Sequence, residues 1–319
     1  MIRIAFVLVL AISLPLVLQA ADQTFYLSFA SRILIMALAA SSLNLVLGYG
    51  GMVSFGHAAF VGTGAYVASI ALAEGISSAW IGWPAAFLAS GLAALAIGAV
   101  SLRTRGVYFI MITLAFAQMM YYLVNSMKAY GGDEGLTLPS RASLGFGLDL
   151  GDEVTFYYVV LALLAALLLC LHRLVNARFG RALIAIRENE ERAEALGFPV
   201  LRHKLVAFAI AGAAAGLAGA LLASHGKYVN PNVLHWTQSG TLLVMVILGG
   251  VGRLWGGVIG AAALLGLEHL MAEHRIDWLA ALAPNYQQHA SLGVGIVLLA
   301  IVLYAPQGIA GLFSGKARA

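Results

Sequence analysis

Residues 173–204 read RLVNARFGRALIAIRENEERAEALGFPVLRHK, and this stretch decides how the rest of the chain is read. It carries Arg178, Arg181, Arg187, Glu188, Glu190, Glu191, Arg192, Glu194, Arg202 and Lys204, with long apolar runs on both sides. A hydrocarbon layer cannot hold that density of charge, so the block lies in water, and its positive ends put it on the cytoplasmic side of a membrane. A short soluble helix hung between two membrane helices is a handle for a cytoplasmic partner.

Composition supports that frame. The chain has 319 residues, 61% of them hydrophobic and only 10% charged, with mean hydropathy +0.92. A soluble domain carries about 25% charged residues, so the deficit predicts an all-α polytopic membrane protein, a single transmembrane domain over residues 1–319 with its charged loop at 172–203. A nucleic-acid binder would carry a basic patch on a soluble domain, and the sequence has none. The single cysteine, Cys170, excludes an internal disulfide and a cysteine-based metal cluster, and it reads as a small apolar helix residue.

A spanning helix needs about 20 mostly apolar residues. About ten transmembrane helices are expected, at 4–21, 28–47, 53–73, 80–101, 107–127, 154–171, 204–224, 238–251, 254–271 and 288–305. The first resembles a secretory leader, but its cleavage pattern is imperfect and it is read as an uncleaved span. With both termini inside, 13 of the 18 Lys and Arg fall in the cytoplasm, whereas the opposite orientation reverses this bias. The acidic stretches Asp133-Glu134 and Asp149 to Glu153 then face outside, as does the loop Tyr228 to Trp236.

Glycine clusters interrupt the spans at Gly48-Tyr49-Gly50-Gly51 and at Gly249-Gly250-Val251-Gly252. Interruptions in corresponding halves point to inverted repeats around a midplane pathway, and a split near residue 150 gives two inverted five-helix halves. The eighth span is short and ends in glycine, so a broken or re-entrant segment is compatible with it. Gly212, Gly216 and Gly219, and likewise Gly256, Gly260 and Ala263, share helix faces and read as ordinary close packing of helices in lipid.

Within the charged block, 181–196 is expected to form one helix. Glu188 precedes Arg192 by four residues and Arg187 precedes Glu191 by four. Ala182, Ala185, Asn189, Ala193 and Leu196 share a small or apolar face, Gly197 supplies a left-handed end, and Pro199 stops continuation. Charges on one side and small residues on the other suit docking into a groove on another protein; a solvated loop touching only its own bundle is the alternative.

The run Phe179-Gly180-Arg181-Ala182-Leu183-Ile184-Ala185-Ile186-Arg187-Glu188-Asn189-Glu190, continuing through Ala193-Glu194-Ala195-Leu196-Gly197 to Lys204-Leu205-Val206-Ala207-Phe208, resembles the cytoplasmic coupling segment of ABC-importer permeases. More narrowly, it resembles the LivM-type permease of high-affinity branched-chain amino acid transporters. The same resemblance extends to Leu43-Asn44-Leu45-Val46-Leu47-Gly48-Tyr49-Gly50-Gly51, Ser54-Phe55-Gly56-His57-Ala58-Ala59-Phe60, Thr104-Arg105-Gly106-Val107-Tyr108-Phe109, Thr113-Leu114-Ala115-Phe116-Ala117-Gln118 and Tyr304-Ala305-Pro306-Gln307-Gly308, and so covers about residues 30–312. It implies a multi-pass permease subunit in the bacterial inner membrane, paired with a second homologous permease. Two cytoplasmic ATPase subunits and a periplasmic binding protein complete the set of partners. It also implies coupling to the ATPases through Arg181, Arg187, Glu188, Glu191, Arg192, Ala193, Glu194 and Gly197. The chain has no Gly-x-x-x-x-Gly-Lys-Ser/Thr phosphate loop, so ATP is expected to be hydrolysed by partners, with no cofactor, metal or catalytic residue here.

Polar residues inside spans face the bundle interior. Asn44, Ser54, His57, Thr113, Gln118 and Asn125 are therefore candidates for the pathway, each with the alternative of a satisfied interhelical contact. A helix starting after Gly50-Gly51 would offer backbone N–H groups to a substrate carboxylate. An intramembrane protease is a poor fit. Ser54 lies outside a Gly-x-Ser-x-Gly elbow, and His269 and His274 lack the His-Glu-x-x-His spacing. An ion-coupled secondary transporter needs a buried carboxylate, and Glu268 is the one acidic residue near a span interior. Within the family, urea or short amides are the alternative cargo.

Overall fold

The structure, a computed structural model, describes residues 12–15, 18, 24–145, 149–273, 290–305 and 307–313. The expected first span, 4–21, lies almost wholly outside the described residues. Helices account for nearly everything described. They are α1 (Thr24–Asn44), which runs on as a π turn (Leu45–Tyr49), α2 (His57–Ala73), α3 (Ala79–Ser101), α4 (Val107–Asn125), α5 (Glu153–Asn176), α6 (Arg178–Glu188), α7 (Glu190–Ala195), α8 (Val200–Gly226), α9 (Trp236–Gly249), α10 (Gly256–Glu273), α11 (Ala290–Tyr304) and α12 (Ile309–Phe313). Five are long and apolar enough to cross a membrane, namely α1 with its π turn, α3, α4, α5 and α8. Four shorter apolar helices, within α2, α9, α10 and α11, accompany them.

α1 and α8 form the centre. α8 packs along α2 and α3, while α1 packs against α10, α8 and α5. Lipid is as apolar as a protein core, so close packing and not hydrophobic transfer holds such helices together. The glycines serve this: a Cβ on Gly212 would strike Ala94, one on Gly216 would strike Ser90, and one on Gly219 would strike the Val61 carbonyl. On the other side of the bundle, a Cβ on Gly260 would strike the Met245 carbonyl, drawing α10 onto α9.

Helix ends collect in two groups. One group, the basic end, joins the turns at 48–52, 102–106, 178–204, 250–255 and 307–311. Its links include Arg105–Glu190 at 3.4 Å, Lys204–Glu190 at 2.6 Å and Arg253 Nη1 donating to the Ala310 carbonyl at 2.6 Å. The opposite end carries the 128–153 loop, tied to α8 by a two-residue antiparallel pairing of β1 (Leu136–Thr137) with β2 (Tyr228–Val229). Arg141 is the hub there. It is buried, donates to the Ser224 carbonyl (3.2 Å), the Leu150 carbonyl (3.0 Å) and Glu153 (2.5 Å), and lies 4.4 Å over the Phe156 ring.

The expectation of one helix over 181–196 is corrected. The chain breaks at Asn189, whose backbone is extended (φ −156°), and α7 starts afresh with the Asn189 side chain accepting from the Arg192 N–H at 2.8 Å. Asn followed by Glu190 and Glu191 is an N-cap with an acidic first turn, and that local signal outweighs the helical periodicity. The expected Glu188–Arg192 and Arg187–Glu191 helical pairs span the break; among the described residues the ion pairs of this block run instead from Glu190 to Lys204 and Arg105. The close of the block is as expected: Gly197 has φ +84°, and the Phe198 N–H reaches back to the Ala193 carbonyl at 3.1 Å.

Candidate functional site

α2 and α9 both begin inside the bundle. α9 has only 14 residues, so Trp236 lies about 20 Å from the basic end at 1.5 Å per residue. α2 reaches His57 through an irregular run, 50–56, that folds into the bundle from the basic end. The two starts touch: the Ala58 N–H donates to Ser239 Oγ at 2.8 Å, and the Phe55 and Trp236 rings are 6.2 Å apart. α4 forms the adjoining wall. Thr113 Oγ1 accepts from the Phe55 N–H at 3.3 Å and donates to the Ile110 carbonyl at 2.9 Å. Position 56 is tight: a Cβ there would lie 3.0 Å from the Thr113 carbonyl.

One turn further along α4, about 17 Å from its start, Gln118 Nε2 lies 3.3 Å from His235 Nε2, and His235 Nδ1 lies 2.9 Å from Thr237 Oγ1. With the Gln118 amide donating, His235 accepts at Nε2 and donates from Nδ1 to Thr237. Gln118 Oε1 is buried without a hydrogen-bond partner among the described residues. Tyr121 packs edge-on to His235 at 5.4 Å. Trp236, Thr237 and Gln238 are exposed on the surface of the single chain at this depth. A polar, aromatic surface this far along the bundle would be costly to place against lipid. It suits a second protein or a wet pathway.

The predicted pathway residues separate accordingly. Gln118 and Thr113 belong to this junction, and buried Ser54 supports it by accepting from the Gly56 N–H at 3.1 Å. Asn44 is elsewhere: its Nδ2 donates to the Arg253 carbonyl (2.7 Å) and its Oδ1 accepts from the Gly252 N–H (2.9 Å), a clasp at the basic end. His57 is buried and bonded through Nε2 to Ser42 Oγ at 2.8 Å, fastening α2 to α1. The expected helix start after Gly50-Gly51 falls six residues later, and the Ala58 N–H is already taken by Ser239. His235, Trp236, Thr237 and Ser239 escaped the sequence reading, which set 228–236 outside the membrane. The signal was the length of the apolar run after Trp236, which at 14 residues is shorter than the roughly 20 of a full span.

In the charged block, Arg181, Arg187, Glu188, Glu191, Arg192, Glu194 and Gly197 are exposed, as are Leu196, Phe198 and Leu201 nearby. Ala193 is not part of that surface: it is buried with Ile186 and Val200. Ala182 is buried as well, whereas Ala185, Asn189 and Leu196 are exposed, so the break at Asn189 splits the small-residue face expected to dock outward. Arg187 bonds inward, to the Gly48 carbonyl.

A bundle of apolar helices in which two shorter ones start inside the bundle, with a charged segment at one end, has the make-up of a membrane transport permease. The chain belongs to the family described as branched-chain amino acid transport system permease components, whose model matches residues 25–305. It is 28% identical to the high-affinity branched-chain amino acid transport system permease protein LivM of Salmonella typhimurium, over 95% of this chain and 73% of the relative. It is also 26% identical to LivH of Escherichia coli K12, over 86% of this chain and 91% of that protein. Similarity extends to the L-arabinose transport system permease AraH of E. coli K12, at 27% over 82% of this chain and 80% of the relative. No solved structure matches the chain significantly.

Proposed function

We propose that this chain is one of two membrane subunits of an ATP-driven importer that carries branched-chain amino acids across the bacterial inner membrane. A second, homologous permease would complete the pathway; similarity to both LivM and LivH supports a pair built on one fold. Two ATPases bind below at α6–α7, and a periplasmic binding protein delivers cargo above. The observation that carries the reading is the open polar and aromatic face at mid-depth, around Gln118, His235 and Trp236. It faces the second permease and forms this subunit's side of the pathway.

Two inverted five-helix halves fit the packing. The α2–α3 contact has its counterpart in α9–α10, α3–α8 in α10–α1, and α2–α4 in α9–α11. The broken helices α2 and α9 then occupy equivalent places, as midplane sites between repeats require. The basic end lies in the cytoplasm by its surplus of Lys and Arg, which gives N-in and C-in orientation. Single cysteines at Glu191 and Asp133, in a background lacking Cys170, label from opposite sides of the membrane on this reading. Labelling of both from outside in intact cells would discard it.

The cargo is tested by reconstituting the complex in vesicles with its binding protein and measuring ATP hydrolysis. Leucine, isoleucine or valine should stimulate hydrolysis and uptake. Stimulation by urea or short amides, with none by these amino acids, would reassign the substrate. Uptake driven by an ion gradient without ATP would overturn the importer reading altogether.

A further inference from the structure

One hydrogen bond across 139 residues joins the charged segment to the turn that precedes the broken helix α2. Arg187, in the last turn of α6, donates from Nη1 to the Gly48 carbonyl. Carbonyls 45, 46 and 47 of the π turn are taken by the N–H groups of Gly50, Met52 and Gly51 at 3.1, 3.0 and 3.1 Å. Gly48 is the next carbonyl, and it receives the guanidinium instead; a cation at a helix C-terminus is favourable on its own account.

The floor beneath Arg187 is bare backbone. A Cβ on Gly51 would lie 2.6 Å from Arg187 Cγ, and a Cβ on Gly252 would lie 3.5 Å from Nη1. Gly51 and Gly252 have φ of +67° and +75°, so glycine is needed there for conformation as well as for space. Asn44 clasps Gly252 and Arg253 from the other side, and Arg253 reaches on to Gln307 Oε1 at 3.2 Å. Arg187 therefore sits over the turn where two paths diverge. Residues 50–56 lead from it to Phe55 and the start of α2. Through Asn44, the 250–253 turn leads to the end of α9. A π turn at such a point is a common mark of function.

We propose that Arg187 is a positioning residue, a strut that carries movement of α6 to both broken helices through the Gly48 carbonyl and does not itself bind the ATPase. This rests on the coupling role proposed for α6–α7. An exposed arginine whose Nη1 is held on an inner carbonyl, over a glycine floor, is fixed to the turn and not free to follow an outer partner. It fixes the distance between the lever and the pathway. Lysine retains the charge and a donor, whereas glutamine is too short to reach.

The test uses the whole complex in vesicles, with Arg187→Gln, Arg187→Lys and an outer-surface double variant, Arg181→Gln with Glu194→Gln. Three quantities are read: ATPase co-purification, uptake per ATP, and ATP-dependent thiol labelling of Gln238→Cys in a background lacking Cys170. Arg187→Gln should retain the ATPase and its hydrolysis, lose about tenfold in uptake per ATP, and abolish the ATP-dependent change in labelling. Arg187→Lys should restore most of both, and the outer variant should lose co-purification. Normal uptake per ATP and normal labelling in Arg187→Gln would overturn the strut while leaving the coupling segment intact. Loss of co-purification in Arg187→Gln would also overturn it, making Arg187 a docking residue. Normal behaviour of all three variants would remove the coupling role and the strut together.

Discussion

Two arginines organise the two ends of this bundle, and they do so in opposite ways. Arg141 is buried, spends its donors on Ser224, Leu150 and Glu153, and stacks on Phe156. Arg187 is exposed and reaches one carbonyl over a floor of glycines. The first arrangement has redundant links into α5, α8 and the loop that precedes α5; losing one leaves the others. The second makes one hydrogen bond, from α6 to the π turn. An end that only needs to stay closed can be over-determined. On the coupling proposed above, α6 moves relative to the π turn, and a joint of that kind works best with few bonds, because each added contact favours one state over the other.

The largest expected effect lies at the closed end. Arg141→Ala leaves the part-exposed Glu153 without its ion pair and frees two carbonyls, and its cost is on the order of 2 kcal/mol, below the range for a fully buried pair. Unfolding of the detergent-solubilised protein should shift accordingly, and the 128–153 loop should become protease-sensitive. A loss below about 0.5 kcal/mol, the scale of a surface change, would erase the contrast between the ends.

A smaller effect is expected at the basic end. Glu190 bridges Lys204 at 2.6 Å and Arg105 at 3.4 Å, with Arg105 largely exposed. Such pairs contribute up to about 1 kcal/mol and are screened by salt. Glu190→Gln should lower stability by that order in dilute buffer, and the difference should shrink at high ionic strength. Indifference to salt would mean that Glu190 acts by packing, and the basic end would then resemble the opposite one more closely.

The legible part of the fold was the part that obeys one-dimensional rules. Long apolar runs gave α3, α4, α5 and α8 within a few residues, and Gly216 on α8 could be read as a packing residue from spacing alone. Breaks were harder. The helix break at Asn189 was masked because periodicity continues across it, although the cap and two following glutamates were in view. The junction was half visible: Thr113 and Gln118 are polar residues inside a span, but Thr113 is met by a backbone N–H, that of Phe55, and Gln118 by His235, from a segment that looks like a loop. Asn44 and Arg187 could not be assigned from sequence, because what each touches is a backbone carbonyl or N–H far along the chain.

The smallest effect again concerns the closed end. Asp152 caps α5, accepting from the Thr155 N–H and the Thr155 hydroxyl, each at 2.9 Å. The Thr155 backbone bond, followed by its hydroxyl, holds the Asp152 carboxyl below its ordinary value. The sign follows: a lowered folded value means that the ionised carboxylate stabilises the fold. That contribution is fully present above the unfolded value of about 3.9 and fades as pH falls through the folded value beneath it. Asp152 is exposed, so solvent screening keeps the effect small, and Asp152→Ala should cost less than about 1 kcal/mol near neutral pH. The gap between wild type and Asp152→Ala should narrow below about pH 4. Asp152→Asn keeps an acceptor without the charge and should lie between the two, with little pH dependence of its own. A gap that stays constant down to about pH 3 would assign the cap to geometry and not to charge. Arg141 would then be the main electrostatic anchor of this end, and the contrast with Arg187 would sharpen.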